Sequence, residues 1–316
     1  MTGGAGFIGS QFCDHLMSLP RTDVVTVFDN FSSGRDWHIA DHRLDPRFRV
    51  VRGDAKDLRG METAIAGHDV VIHLASNPDI ARAITEPDID FREGTALTNN
   101  VLEAMRRSRV RVILYASGSG VYGDTGEFVV SEDHAPMQPI STYGASKLAG
   151  EALIAAYCAM FDMRGLCFRF GNVVGPRQTH GVGFDFVRRL KADPSRLTIL
   201  GDGQQTKSYI HVADVVSAVM CAEANVKDVF AVFNVATGDT LTVTEIADLA
   251  CEILGLDPAK VRFEYSGGRR GWKGDVPVVK LDISRMLAFG WKPLPARDAL
   301  RRSLEALRDE ANSGLI

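Results

Sequence analysis

Several features are missing from this sequence of 316 residues. It has no run of about 18 apolar residues, which excludes a membrane-spanning helix. Its start has no basic segment leading into an apolar stretch, so no secretory signal is expected. There is no Cys-x-x-Cys and no His or Cys set at metal-ligand spacing, so no metal site is expected. The five cysteines (Cys13, Cys158, Cys167, Cys221 and Cys251) are scattered, odd in number and mostly set in apolar runs. They read as reduced, buried thiols, and the expected location is the cytoplasm. Positive charge is not in excess either. The 36 Lys and Arg stand against 40 Asp and Glu, for a net charge of −4. That balance argues against a nucleic-acid or anionic-membrane surface as partner. Internal repeats and low-complexity segments are also lacking.

What remains is ordinary globular material, 45% hydrophobic and 24% charged. Its length allows about two domains of roughly 150 residues. Short β-rich apolar runs at 24–28, 48–51, 70–74, 110–115 and 165–170 alternate with helix-like stretches at 9–19, 95–107 and 143–161. This rhythm predicts an α/β fold with a doubly wound parallel sheet covered by helices on both faces. After about residue 171 the rhythm loosens into shorter pieces punctuated by Gly and Pro. A helix over 244–254 stands out there, capped by Thr242 or Thr244 and ended by Gly255. The expected division is a Rossmann domain over 1–170, with 212–240 returning to it, and a smaller α/β lobe over 171–211 and 241–316.

The chain opens Met1-Thr2-Gly3-Gly4-Ala5-Gly6-Phe7-Ile8-Gly9. Gly3, Gly6 and Gly9 allow a tight turn, a close approach of backbone N–H groups to a pyrophosphate, and close helix packing. A second strand ends at Asp29, 20 residues after Gly9. A carboxylate there accepts both adenosine-ribose hydroxyls and repels a 2′-phosphate. No Arg follows directly in Asn30-Phe31-Ser32-Ser33-Gly34, so NAD is favoured over NADP. Asp54, after the third strand, either reaches the adenine amino group or caps a helix. Further along, Tyr143 and Lys147 are i and i+4 on one helix face. A nearby ammonium favours phenolate, which would make Tyr143 a usable base near neutrality.

The glycine array, Asp29, the Tyr143/Lys147 pair and the Val121-Tyr122-Gly123 turn resemble the extended short-chain dehydrogenase/reductase superfamily. More narrowly, nearly the whole chain is similar to the NAD-dependent nucleotide-sugar epimerase/dehydratase family. The resemblance implies that Tyr143 removes a proton from a sugar hydroxyl while the carbon-bound hydride passes to NAD. Lys147 would tune the phenol and bind the nicotinamide ribose. Cofactor contacts would extend to Phe7, Ile8, Ala55, Leu74, Ala75, Ser76 and Val173. The family usually places a Ser or Thr three residues before the Val of Val-Tyr-Gly. Gly118 stands there, flanked by Ser117 and Ser119. On an ordinary strand end these two share a face, and either hydroxyl could substitute.

The resemblance also places the diphosphate of a nucleotide sugar at Asn172 and Arg177. It extends to Gly201–Asp214, where Lys207 replaces the usual Arg and keeps the charge without the bidentate fork. Arg269 or Arg270, ahead of Gly274-Asp275-Val276, would add a second cation, since Trp272 takes the usual Arg place. Asp275 completes the set of substrate residues. Dehydratases of the family carry an Asp-Glu pair where this chain has Ser119 and Gly120. The expected activity is therefore 4-epimerisation of a UDP-hexose, UDP-N-acetylhexosamine or UDP-hexuronate through a transient 4-keto sugar. The alternatives are a dehydratase or other keto-sugar-forming enzyme, or an inactive NAD-sensing protein. Arg82, Thr125 and Glu127 lie near plausible sugar-facing segments. His73 and His211 read as structural. A homodimer through helices near 94–107 and 143–161 is implied by resemblance. So is a central first strand just before Thr2, for which roughly five apolar residues are absent. An upstream apolar extension is expected to raise stability and NAD retention.

Overall fold

A computed structural model describes residues 1–271 and 274–316 of the chain. Trp272 and Lys273, including the Trp in the usual Arg place, lie outside the described residues. Helix α1 (Phe7–Ser18) leads into strands β1 (Val25–Asp29) and β2 (Phe48–Arg52), helix α2 (Leu58–Ile65) and strand β3 (Val70–His73). Helix α3 (Ala96–Ser108), strands β4 (Val112–Gly118) and β5 (Val129–Val130), helix α4 (Thr142–Met160) and strand β6 (Arg164–Phe170) follow. The β-α alternation read from the sequence is the architecture observed. Its boundaries shift by a few residues, as expected where ends fray.

The described residues form two compact units. The first contains 1–121, 141–169 and 218–233. Here β1 and β2 pair in parallel from Val25↔Phe48 to Asp29↔Arg52. Strands β3 and β4 pair in parallel from Val70↔Val112 to His73↔Tyr115, and β6 lies beyond β4. Thr2 joins the two ladders through parallel bridges to Phe28 and His73. Its amide donates to the Ile72 carbonyl at 3.1 Å, and the Gly3 amide donates to Phe28 at 3.0 Å. Met1–Gly3 thus occupy the end of the central strand position. Toward the starts of β1 and β3 lies a slit lined by Met1, Thr26, Ile65, His68 and Val70. Burial of Val101, Leu102, Met105, Ile113, Tyr115 and Ile154 fixes α3 and α4 against the sheet. Removing such side chains from water is what makes each amphipathic helix choose a face.

The second unit contains 122–140, 170–217 and 234–316. The linear reading assigned 122–140, 212–217 and 234–240 to the first domain. Pairing explains the difference. Strand β5 runs parallel to Val278–Leu281, with Lys280 opposite Val129. The Asn234 side-chain amide donates to Val130 at 3.0 Å and to Asp282 at 2.9 Å. Helices Val182–Ala192, Val243–Ile253 and Ala296–Asn312 bury Leu190, Ile246, Leu249, Leu300 and Leu304 in one core. Of the two candidate caps, Thr242 is the one used. It forms a reciprocal capping box with Glu245, at 3.1 and 2.7 Å. Among the described residues no helix is long and apolar enough to cross a membrane.

Candidate active site

In the first unit the glycine loop packs against the residues that follow β1 and β3. Gly3 has φ of +72°, and a Cβ on it would sit 2.8 Å from the Ala75 nitrogen. A Cβ on Gly9 would run into the Gly3 carbonyl oxygen. Gly6 caps α1 with extended backbone and no side-chain bond. The first-turn amides of Phe7, Ile8 and Gly9 therefore have no partner within the helix. Asp29, buried at the end of β1, accepts the Ala5 amide at 2.9 Å and the Phe31 amide at 2.8 Å. Each of its oxygens keeps acceptor capacity, which suits a pair of ribose hydroxyls. The Ser32 amide donates to the Asn30 side chain at 3.0 Å. Asn30 reaches Asp54 at 3.5 Å, next to the buried Ala55. The Arg35 amide donates to Ala5, with Gly34 against the same residue and Ser33 beside it. The Leu74 amide donates to Thr2 at 3.1 Å, carrying Ala75 and Ser76 past the loop. This cradle fits the pyrophosphate and adenosine of NAD: open amides at a helix start, room only for glycine, and a carboxylate in reach.

Helix α4 carries the expected reacting pair, Tyr143 and Lys147. Ser141 caps it, accepting the Gly144 amide at 3.1 Å, which fixes Tyr143 in the first turn. The Lys147 ammonium is buried, donates to the Ala116 carbonyl at 2.8 Å and lies 5.5 Å from the Tyr143 ring centroid. Burial lowers Lys147 to about 8, opposed by Asp90 and Glu151. Burial also pushes the Tyr143 phenol up to about 12. A hydrogen bond with Ser76 lowers it and the Asp90 carboxylate raises it further. The near-neutral phenol expected from the Tyr-Lys spacing is therefore not what the surrounding side chains give. Desolvation by burial is the largest cause.

The two candidate serines separate. Strand β4 ends at Gly118 and the chain turns into a short 3-10 segment from Ser119 to Tyr122, so strand alternation does not align 117 with 119. Ser117 is buried and its hydroxyl donates to Glu151 at 2.5 Å. Glu151 in turn takes Arg169 in a bidentate pair, at 3.0 and 2.7 Å. Ser117 is thus part of a buried ionic cluster, contrary to its expected catalytic place. Residues without a motif signal surround the pair. Asp90 accepts the Thr142 hydroxyl at 2.6 Å and the Asn77 amide at 2.9 Å. Only the i+8 spacing of Glu151 from Tyr143 could have flagged it. His73 bridges Thr2 and Thr98 at 2.7 and 3.1 Å, and burial drops it to about 3, so it stays uncharged.

The second unit carries the expected substrate residues. Asn172 and Val173 lie on a strand parallel to Tyr209–His211. Lys207 and Asp275 meet each other at 2.5 Å, so the lysine charge is already paired. Arg270 pairs with Asp124 at 2.9 Å. Arg177 adopts φ of +66°, and its amide donates to Glu310 at 2.7 Å. His211 accepts the Ala213 amide at 3.2 Å. Glu127 is held by Lys280 at 2.7 Å, and, in the first unit, Arg82 by Glu86 at 2.7 Å. No group of three His, Cys, Asp or Glu able to hold a metal occurs among the described residues.

The sequence profile of the NAD dependent epimerase/dehydratase family matches residues 1–236. The chain belongs to that family. It is accordingly an NAD-dependent enzyme. It is 31% identical to a protein of Methanocaldococcus jannaschii named a putative UDP-glucose 4-epimerase, covering 98% of each chain. The crystal structure of a UDP-galactose 4-epimerase superposes with a TM-score of 0.85 at 37% identity, covering 98% of each chain. A dTDP-glucose 4,6-dehydratase from Streptomyces venezuelae with NAD bound gives a TM-score of 0.89 at 26% identity, covering 99% of this chain and 97% of that one.

Two outcomes check the site. Glu151→Ala removes the carboxylate that buried Arg169 holds in a fork, and denaturant titration should show a loss of about 3–5 kcal/mol. A loss under about 1 kcal/mol would mean the cluster does not hold α4. Gly9→Ala should weaken NAD at least about tenfold, equivalent to about 1.4 kcal/mol, by equilibrium binding. Unchanged affinity would place the pyrophosphate elsewhere.

Proposed function

We propose that the protein catalyses 4-epimerisation of a UDP-sugar through a transient 4-keto sugar. The observation that carries this reading is the Tyr143–Lys147 face of α4 beside the glycine cradle, without an acidic pair at Ser119 and Gly120. NAD, when bound, supplies the hydride acceptor and returns the same hydride, so no net oxidant is consumed. Tyr143 takes the proton of the sugar O4 as the C4 hydride leaves, and gives it back after the keto sugar has turned its other face. Lys147 holds the positive charge that favours the phenolate and binds the nicotinamide ribose. Water elimination would need an acid and a base beside the sugar, and this chain has a hydroxyl and a bare glycine at those positions.

On the substrate side, Asn172, Arg177, Lys207 and Arg270 are assigned to the diphosphate, with Asp275 orienting Lys207. Val173 is assigned to the nicotinamide amide. The names of its relatives support UDP as the nucleotide. A hexose, an N-acetylhexosamine and a hexuronate all remain within the substrate class. We place the enzyme in the cytoplasm, consistent with five scattered cysteines, odd in number, as a homodimer through α3 and α4.

The test is turnover of a UDP-sugar panel, with C4 stereochemistry of the product read by NMR. The C4 epimer is expected, and Tyr143→Phe should lose about 10²–10⁴-fold in kcat while still binding NAD. Unchanged sugars or a 4-keto-6-deoxy product would overturn the reading.

A further inference from the structure

A half-buried tyrosine whose phenol must become a phenolate needs a donor pointed at its oxygen, and the expected position for one, residue 118, has no side chain. A Cβ built on Gly118 meets nothing within 4 Å, so the strand end opposite is open. Ser117 is committed to Glu151. A third hydroxyl, Ser76, lies on the loop that follows the neighbouring strand β3. Strands β3 and β4 run in parallel with His73 opposite Tyr115. The ladder ends there, and residues 74–76 run on past the glycine loop, where a Cβ on Gly3 would sit 2.8 Å from the Ala75 nitrogen. The Ser76 hydroxyl is near enough to the Tyr143 phenol for hydrogen bonding to lower its pKa.

The segment that bears Ser76 is pinned. The next residue, Asn77, is buried. Its amide donates to the Asp79 carbonyl and to Asp90, each at 2.9 Å, and its oxygen accepts the Asp79 amide at 3.0 Å. Asp90 also accepts Thr142, the neighbour of Tyr143 on α4. The Ser76 loop and the first turn of α4 are thus tied to one carboxylate, which fixes the Ser76–Tyr143 contact from both sides.

We propose that Ser76, on the loop after β3, is the positioning hydroxyl for Tyr143, taking over from the side chain that Gly118 lacks. This rests on the epimerase reading for its role in turnover, though not for the contact itself. Ser76 donates to the Tyr143 phenolate before it takes the sugar O4 proton, and accepts from the phenol until that proton is returned to the sugar. No bond to Ser76 is made or broken. The charged groups around Tyr143 act in opposite senses. Lys147, from the same helix face, favours the phenolate; Asp90, from the segment before α3, disfavours it. Ser76 adds to the lysine's effect, because a hydrogen bond to the charged form favours that form.

The experiment is a spectroscopic titration of Tyr143, read as the near-ultraviolet difference between each protein and its Tyr143→Phe counterpart, with and without NAD. Ser76→Ala should move the phenol midpoint up by about one pH unit, a tenfold change. Ser76→Thr, which keeps the hydroxyl, should restore it. In turnover, S76A should lower kcat about tenfold with KM nearly unchanged, and shift the rising limb of the pH profile upward, with S76T recovering both. Should S76A fail to fold, Ser76→Cys fills the space with a weaker donor and should give the same upward shift. Superimposable titrations for wild type, S76A and S76T would overturn the proposal. A shifted titration without turnover of any UDP-sugar would support the contact and sink the epimerase reading instead.

Discussion

Glu151 is the constraint on which the rest of the site depends. It lies on the Tyr143–Lys147 face of α4, one turn beyond Lys147. From there it binds Arg169 of β6 in a fork and accepts the Ser117 hydroxyl of β4. One carboxylate therefore fastens the helix to two adjacent strands. An ion pair so buried is not by itself a gain in stability, since desolvating two charges offsets most of their attraction. Its effect is geometric. Sliding or rotating α4 would strand a charge in the core, so the helix has one place. Tyr143 and Lys147 inherit that place.

The environment this creates explains the electrostatics of the pair. Tyr143 and Lys147 are both desolvated, which lifts the phenol to about 12 and lowers the ammonium to about 8. The two values move apart in opposite directions. In water the two values are about 10 and 10.4, so the site separates them, and a proton passing from phenol to amine there climbs a larger free-energy gap. The half-buried tyrosine stays neutral until the charge around it changes. That suits an enzyme whose reaction must begin only with its sugar in position.

The sequence made the β-α rhythm, the glycine cradle, Asp29 and the Tyr143/Lys147 pair legible, because each rests on local spacing. The cap at Thr242 and the stop at Gly255 were equally plain, being short-range chemistry. What stayed hidden depends on contacts far apart in the chain. Nothing near Ser117 announces that Glu151 occupies it, and nothing near Ser76 announces that Tyr143 is its neighbour. The assignment of 122–140 to the second unit turns on β5 pairing with Val278–Leu281, a partner about 150 residues away, and such pairings leave no local signature. The Lys207–Asp275 pair was foreseen as two substrate residues, yet not as partners of one another. Tyr143 shows the limit of spacing arguments: an i, i+4 lysine does not predict a low pKa when both groups are buried together.

The central claim is that one hydride leaves C4 and returns to C4 while Tyr143 moves only the hydroxyl proton. The most direct measurement is mass spectrometry of the product formed from a UDP-sugar in deuterated water. The account predicts a C4 epimer with no carbon-bound deuterium, and full retention of a deuterium placed initially at C4. Deuterium from solvent on a ring carbon or the C6 carbon would contradict it, because that requires a carbon acid step for which this site has no assigned base.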